Sequence, residues 1–432
     1  MFGKWMCHFF LWIFIFCFAS NAKSQWGWNN SFKVKDEGVF MGGAGMAFID
    51  GESYFSFGLR TEVGMGDWGL GLDIPLRFNT KNGELRSEDW DSSYDYFRVL
   101  RYIRYGKKHR SKIYSQLGTL DAAKLGHGFI MSYYTNEAQY DERKIGLAFD
   151  LKFSSWGMES VVSNFQNFEI VGGRLYVKPL LKMKSLFLLN KLTFGATFVT
   201  DRDPDGNSSS NDDVAVAGVD VGLPLLRFGS FYSSIYADHA QIINYGSGQA
   251  IGLELGLWKL GGLVTIQTKV ERRFLGKNFL PSYFDPFYEV ERFQPTGPTG
   301  LRKRDRLRTI TSTQYGTYGE LLGHVLGMIR LIGTFERIDK QAQSGRLHMG
   351  AMLSKPIGKI SARGMYDKTN IDTFGDVFSL DTRSILRAGL GYQINSYLHL
   401  FTDYVWTFET NDAGKIESQR RIEPQLTFVM PF

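Results

Sequence analysis

Cysteine is almost missing: among 432 residues only Cys7 and Cys17 carry thiols, both at the very start. Everything downstream lacks disulfide staples, thiol catalysis and cysteine-ligated metal. Long apolar runs are absent beyond that opening stretch and the mean hydropathy is slightly negative. That excludes a bundle of membrane helices, each of which needs ~20 apolar residues. Neither sign of charge dominates, with 50 Lys plus Arg against 44 Asp plus Glu, so the chain carries no nucleic-acid footprint. Proline is scarce, at 11 residues. What it does contain is 48 Gly, 35 Phe, 21 Tyr and 9 Trp, with glycine at about 11% against a usual ~7%. A charged fraction of 22% excludes low-complexity linker. Glycine and aromatic enrichment without helical apolar runs is the bulk composition of a large β-barrel.

The first residues read as a secretory leader: Lys4, an apolar core over 9–18, then small residues. Cleavage after Ala22 or after Ser24 satisfies the small-x-small rule. The core is too short to anchor in a bilayer. The expected organisation is a signal peptide over 1–22 (cleavage at 22 or 24), a short N-terminal periplasmic segment over 23–39, and one barrel over 40–432.

Period-two alternation runs along the rest. Trp68, Leu70, Leu72, Ile74, Leu76 and Phe78 interleave with Gly69, Gly71, Asp73, Pro75 and Arg77. Ile145, Leu147, Phe149, Leu151 and Phe153 interleave with Gly146, Ala148, Asp150 and Lys152. Leu398, Leu400, Thr402, Tyr404, Trp406 and Phe408 continue the pattern. A helix would scatter these apolar residues around its circumference, whereas a strand gathers them on one face. Link lengths alternate too. Tight links at Gly66-Asp67, Ser155, 258–261, 356–358 and Asn395-Ser396 separate polar stretches at 79–93, 121–143, 201–213, 239–248, 271–309, 368–383 and 409–419. This predicts an all-β fold: an up-and-down antiparallel transmembrane β-barrel of about 18–20 strands, short turns periplasmic and long loops outside. An even count requires 40–49 to be the first strand.

At the other end, Leu426, Phe428, Met430 and Phe432 alternate with Gln425, Thr427 and Pro431. This tail resembles the C-terminal strand of Gram-negative outer-membrane β-barrel proteins. The resemblance implies that Phe428, Met430 and Phe432 form the signal read by the barrel-insertion machinery. It also implies a place in the cell outer membrane, among its lipid and lipopolysaccharide. A secreted sandwich array or propeller would also alternate. Against these stand aromatics near strand ends, such as Phe55, Trp68, Tyr392 and Trp406, placed as interfacial girdles require. No blade-length repeat is visible. A barrel of this width is too wide for its own side chains to fill, so it holds water or a plug.

Candidate lumen residues follow from strand phase: Arg77, Lys152, Lys269, Arg346, Arg363 and Arg387 against Asp73, Asp150, Asp220, Glu254 and Asp403. Such rings bias a pore between anions and cations, or pair across strands and only brace the wall. The longest link, 271–309, is too aromatic for a solvated strap, with Phe279, Tyr283, Phe284, Phe287 and Tyr288. It is expected either to fold into the mouth as a constriction or lid, or to pack over the rim or a partner. Its distal cations Arg302, Lys303, Arg304, Arg306 and Arg308 would hold lipopolysaccharide phosphates, steer anions inward, or form a solvated rim. Arg98, Arg101 and Arg104 are spaced so that they cannot all share one strand face.

Asp201, Asp203, Asp205, Asn207 and Asp212 match the D-x-D-x-D-G spacing of a Ca2+ loop with an acid at position twelve. Flanking strands in place of helices and Pro204 argue for an ordinary polar loop instead. Six histidines outside the leader are scattered, without a nucleophile elbow or paired metal ligands. His127 near Ser132 is expected to be a hydrogen-bonded loop or lumen residue, and no enzyme activity or cofactor is expected. The functional expectation is a porin-like channel for small solutes with a weak anion lean. The alternatives are a surface interaction barrel with a plugged lumen, and an accessory of secretion or envelope assembly.

Overall fold

The computed structural model describes residues 39–431, apart from 109, 121, 140–143, 184, 186–187, 207–208, 211, 261–262, 294–300, 354–355 and 411–415. The leader, residues 23–38, Asn207 and Phe432 therefore lie outside the described residues.

Twenty antiparallel strands form one sheet. In order they are β1 Val39–Ile49, β2 Glu52–Met65, β3 Trp68–Asn79, β4 Leu100–Tyr105, β5 Ile113–Gly118, β6 Gly146–Lys152, β7 Trp156–Val162, β8 Ile170–Val177, β9 Thr193–Asp201 and β10 Val214–Phe228. They continue with β11 Phe231–Ile242, β12 Ser247–Leu260, β13 Val264–Leu275, β14 Gln314–Val325, β15 Ile329–Ile338, β16 Gly345–Leu353, β17 Ile360–Ile371, β18 Ser384–Gln393, β19 Leu398–Thr410 and β20 Ile416–Pro431. Each pairs with its chain neighbour, and β1 pairs with β20 from Val39↔Pro431 to Ile49↔Arg421, which closes the barrel. The first strand begins at Val39, one residue before the expected 40.

The outer face carries the apolar phase. Phe55, Phe57, Trp68, Phe194, Phe198, Ile251, Leu253, Leu390 and Leu400 are all exposed there, while Arg77, Lys269, Glu271, Arg273 and Arg421 are buried inside. A closed β-cylinder satisfies every backbone group internally, and an apolar exterior over a charged interior fits a bilayer rather than water. The protein is a transmembrane β-barrel.

Inward glycines serve their neighbours. Gly71, Gly157, Gly252 and Gly391 sit opposite Tyr102, Tyr176, Tyr236 and Phe401 in the strand registers. A Cβ at each would approach those rings to 2.4, 2.3, 2.1 and 2.0 Å. The rings lie flat over bare backbone, so the wall stays thin where the lumen is lined by aromatics.

The longest loops gather at one end of the barrel, but the division is not clean: β1 and β2 join there through only 50–51, and the long link 178–192 between β8 and β9 lies at the short-turn end. The expected long link at 239–248 shrinks to 243–246, because β11 continues to Ile242 and β12 starts at Ser247. The link at 409–419 likewise shortens to 411–415. The residues expected as one strand around 94–104 divide: Arg98 closes a helix at Ser93–Arg98 and pairs with Asp95. Arg101 lies at a register irregularity and reaches Glu62 at 2.8 Å. Phe408 departs from the phase of Trp406: it is 3% exposed and packs edge-on to Phe287 at 6.5 Å. A loop from inside the barrel reaches it there.

Candidate functional site

Two of the long loops turn inward and fold together. Residues 119–145, between β5 and β6, and 276–313, between β13 and β14, join through a parallel bridge at Met131↔Phe284. The Ser132 amide donates to the Phe284 carbonyl at 3.0 Å, and the Phe284 amide to the Ile130 carbonyl at 3.1 Å. The Ser282 amide donates to the Phe129 carbonyl at 2.8 Å. Around this short backbone ladder lies a dry core. Phe279, Tyr283, Phe284 and Tyr288 are each at most 1% exposed, and Phe287 6%. The first four cluster with Phe129, Met131 and Tyr134 against the inward wall residues Val199, Val214, Val216 and Leu275, and Phe287 packs with Ala138, Val290, Ile385 and Phe408. The expected aromatic link thus lies in the mouth of the barrel. Its partner, 119–145, corresponds to the link expected at 121–143 as a polar outside loop, and it turns inward instead. The apolar run Phe129-Ile130-Met131, followed by Tyr133-Tyr134, inside an otherwise polar stretch was the signal that would have found it.

Ion pairs fasten this plug. Arg292 holds Glu169 at 2.7 Å and Asp201 at 3.1 Å. Lys144 holds Glu169 at 2.6 Å and Glu289 at 2.8 Å, while Tyr134 donates to Glu289. Lys303 sits between Asp285 at 2.6 Å and Glu291 at 2.9 Å, and Arg306 adds a second cation to Glu291 at 2.6 Å. The wall supplies Arg346 to Asp285 at 2.7 Å, Glu320 to Lys124 at 2.7 Å and Arg387 to Glu137 at 3.1 Å. Burial works against the charge on these plug carboxylates, yet their cationic partners win. Lys144 and Arg292 hold Glu169 down to about 2, and Arg306 with Lys303 hold Glu291 well below the usual carboxylate range. Burial keeps the phenols of Tyr134, Tyr283 and Tyr288 protonated far above their ordinary value.

This corrects the expectation for the distal cations. Lys303 is fully buried, Arg306 nearly so, and both point at carboxylates within the plug. Arg304 meets Asp212 at 3.1 Å and Arg302 approaches Asp205 at 3.8 Å. Only Arg308, just past the helix Lys303–Leu307, stands exposed with no ion pair recorded among the described residues. The reason is local: a one-turn helix here puts Lys303 and Arg306, three residues apart, on one inward face, where an apolar core has left carboxylates in need of partners.

The acidic loop divides as well. Asp203, Asp205 and Asp212 bring carboxylate oxygens within 4.8 Å of one another. Asp201 does not join them: it is fully buried at the end of β9, accepting from Tyr288 at 2.8 Å and pairing with Arg292. Guanidinium groups from Arg304 and Arg302 already face the remaining trio.

Several of the other lumen charges meet opposite charges. Arg174 grips Asp220 through two bonds at 2.7 and 2.8 Å. Lys269 pairs with Glu271 at 3.1 Å and faces Glu254 in the β12–β13 register. Asp150 faces inward between Tyr114 and Glu159, and Lys152 stands exposed at the turn end. His127 stacks on Tyr236 at 3.8 Å with Nδ1 3.2 Å from Asp238, so the loop histidine is a hydrogen-bonded one. Phe428 lies on the outer face, 46% exposed, and Met430 lies in β20.

The plug leaves one sector of the lumen uncovered. Between β19, β20 and β1–β3 a recess opens at mid-height, lined by Arg60, Asp73, Arg77, Asp403, Glu423 and Gln425 among others. Arg60 bridges Asp73 at 3.0 Å and Asp403 at 3.2 Å, and Arg363 reaches Asp403 at 2.9 Å. Arg77 is held between Asp89 at 2.9 Å and Glu423 at 2.6 Å.

No protein-family model and no curated protein matches the chain. Among solved structures it is similar to CdiB from Acinetobacter baumannii at 9% identity and a TM-score of 0.28, covering 90% of this chain and 60% of that one. It is also similar to Pseudomonas aeruginosa OccK2 (OpdF), solved in complex with glucuronate, at 9% identity over 92% of this chain and 96% of that one, with a TM-score of 0.34. Pseudomonas aeruginosa OccK5 (OpdH) gives 10% identity, 93% and 99% coverage, and a TM-score of 0.33.

Proposed function

We propose that the protein is a porin-like channel for small solutes whose passage is the charged recess beside the plug. The observation that carries this reading is the asymmetry of the lumen. Two loops fill the lumen with a dry core along β5–β15 and reach Ile385 of β18 and Phe408 of β19, while beside β20 and β1–β3 a recess keeps its charged side chains, with Asp89 of the 80–99 loop on Arg77 at its edge. A passage lined by charge carries hydrated solutes, and its ladder of guanidinium and carboxylate groups sets their orientation. Arg60, Arg101 and Arg363 face Glu62, Asp73 and Asp403 there, so the fields largely cancel and the selectivity is a weak lean towards anions. The deciding measurement is single-channel conductance and reversal potential in planar bilayers under a KCl gradient. Steps of steady conductance with a small anionic reversal potential are expected. Electrical silence would instead favour an interaction barrel with a sealed lumen.

A further inference from the structure

The loop between β17 and β18, residues 372–383, does not stand above the rim or enter the mouth. Tyr366, Leu386 and Trp406 are register partners across β17, β18 and β19, in phase with exposed Leu390 and Leu400 on the outer wall. From that outer face the Tyr366 hydroxyl donates to the carbonyls of Val377 at 2.8 Å and Ser379 at 3.4 Å. The Trp406 indole donates to the carbonyl of Asp381 at 3.1 Å. Residues 377–381 therefore cross the outside of the barrel at the level of Leu386. Beneath them Lys368, in phase with Tyr366, is fully buried and gives its ammonium to the Ser379 carbonyl at 2.8 Å, Asp381 at 2.9 Å and Ser384 at 3.0 Å. The far end is tied as well, by Arg337 to the Asp372 carbonyl at 3.2 Å.

This strap meets one requirement of a lipid-facing wall, since a bare lysine and phenol on that surface would be costly in a bilayer. It also presents something new. Phe374 and Phe378 are 79% and 74% exposed and pack edge-to-face on each other at 5.2 Å. They are exposed rings in a segment that lies against the outer wall, on the same outward side of β18 and β19 as exposed Leu390 and Leu400. Such rings settle at the boundary between headgroups and acyl chains.

We propose that residues 372–383 form a lipid-binding strap that inserts Phe374 and Phe378 into the outer-leaflet interface and fixes the height of the barrel in the membrane on this side. The partner is the lipid surface itself, not a protein or a soluble anion. The inference rests on the barrel's lipid-facing wall and is independent of whether the lumen conducts.

The test uses nitroxide labels on the full-length protein reconstituted in lipid vesicles, in a Cys7→Ser, Cys17→Ser background. Labels are placed by Phe374→Cys or Phe378→Cys, with Leu390→Cys on the wall and Asn82→Cys in a loop as references. Both phenylalanines are largely exposed, so their replacement leaves the fold intact. The expected result is collision with dissolved oxygen several-fold above collision with a water-soluble nickel complex at 374 and 378, as at 390. Nickel accessibility like that at 82 would overturn the proposal and leave the strap a solvated loop. Protection from both quenchers would also overturn it, pointing to a protein partner. A water-like signal at 390 itself would remove the lipid-facing wall on which the proposal stands.

Discussion

The two sectors of the lumen are built from the same strand pattern and end in opposite states. On the side of β5–β15 the inward positions near the loop end include Val161, Val199, Val214, Val216, Leu275 and Ile338, all buried in the plug core, with Asp201 and Arg273 buried among them. On the side of β19–β20 and β1–β3 the inward positions are Arg60, Asp73, Arg77, Asp403 and Glu423. Apolar inward residues in a wet lumen gain only when something covers them, at about 1.5–3 kcal/mol for each large side chain. The loops 119–145 and 276–313 provide that cover, and they also take up wall charges that fall beneath them, as where Arg346 meets Asp285 and the Lys269 ammonium donates to the His127 carbonyl. The apolar inward positions thus mark where the dry core sits, while wall charges are buried under the plug as well as lining the recess beside it.

The largest test of this contrast removes the filler. Replacing residues 277–309 by a short Gly-Ser link is expected to raise single-channel conductance several-fold, because the aromatic core and its clamps leave together. Unchanged conductance would show that the filled sector does not limit the pore. A smaller, more local break is Glu291→Ala. It leaves Lys303 and Arg306 without the carboxylate they share, and removing one partner of a buried pair costs about 3–5 kcal/mol. The plug should open locally while the wall holds: hydrogen exchange should quicken across 280–310 and stay slow in β17–β20. Equal quickening in both sectors would mean that plug and wall unfold as one unit, and the contrast between them would fail.

Acid probes the same clamps. Glu169 is held at about 2, against an ordinary value of 4.5. A depressed carboxyl stabilises the folded form at every pH above its ordinary value. That contribution fades as pH falls from about 4.5 towards 2, as the proton displaces Lys144 and Arg292. Conductance noise from plug opening should therefore grow only within that acidic window, and Glu169→Gln should show it already at neutral pH. Noise that sets in on the alkaline side instead would assign the latch to other groups.

What could be read in the sequence divides along the same line. The strands were legible where one face meets lipid throughout, as in Trp68 to Phe78, because period two is then enforced along the whole strand. The strap residues and the plug were not, because their neighbours come from far away in the chain: Met131 pairs with Phe284 and Gln139 with Phe408. Phe408 shows the failure in one residue. Its alternation places it with Trp406 towards lipid, yet the plug packs against it from inside and buries it with Ala138, Phe287 and Val290. The aromatic density of 271–309 announced that the segment would be buried, though nothing local named what would bury it. The basic run at 302–308 misled for the same reason, since its carboxylate partners Glu291 and Asp285 are contributed by a turn folded back upon it.

The smallest expected effect concerns the acidic loop at the edge of the filled sector. A calcium ion there would need Asp201 with Asp203, Asp205 and Asp212, but Asp201 is engaged by Tyr288 and Arg292 inside the plug. Arg304 and Arg302 already bring positive charge to Asp212 and Asp205. A divalent ion would have to displace both guanidinium groups, and would then sit beside them at Coulombic cost. Adding a chelator should therefore leave the melting temperature of the wild type unchanged. The double variant Arg302→Ala, Arg304→Ala removes the competing charge and is the form in which calcium should raise it, by a degree or two. Calcium stabilising the wild type as strongly as the variant would mean that the loop rearranges around the ion, and that the edge of the plug is less firmly set than its ion pairs suggest.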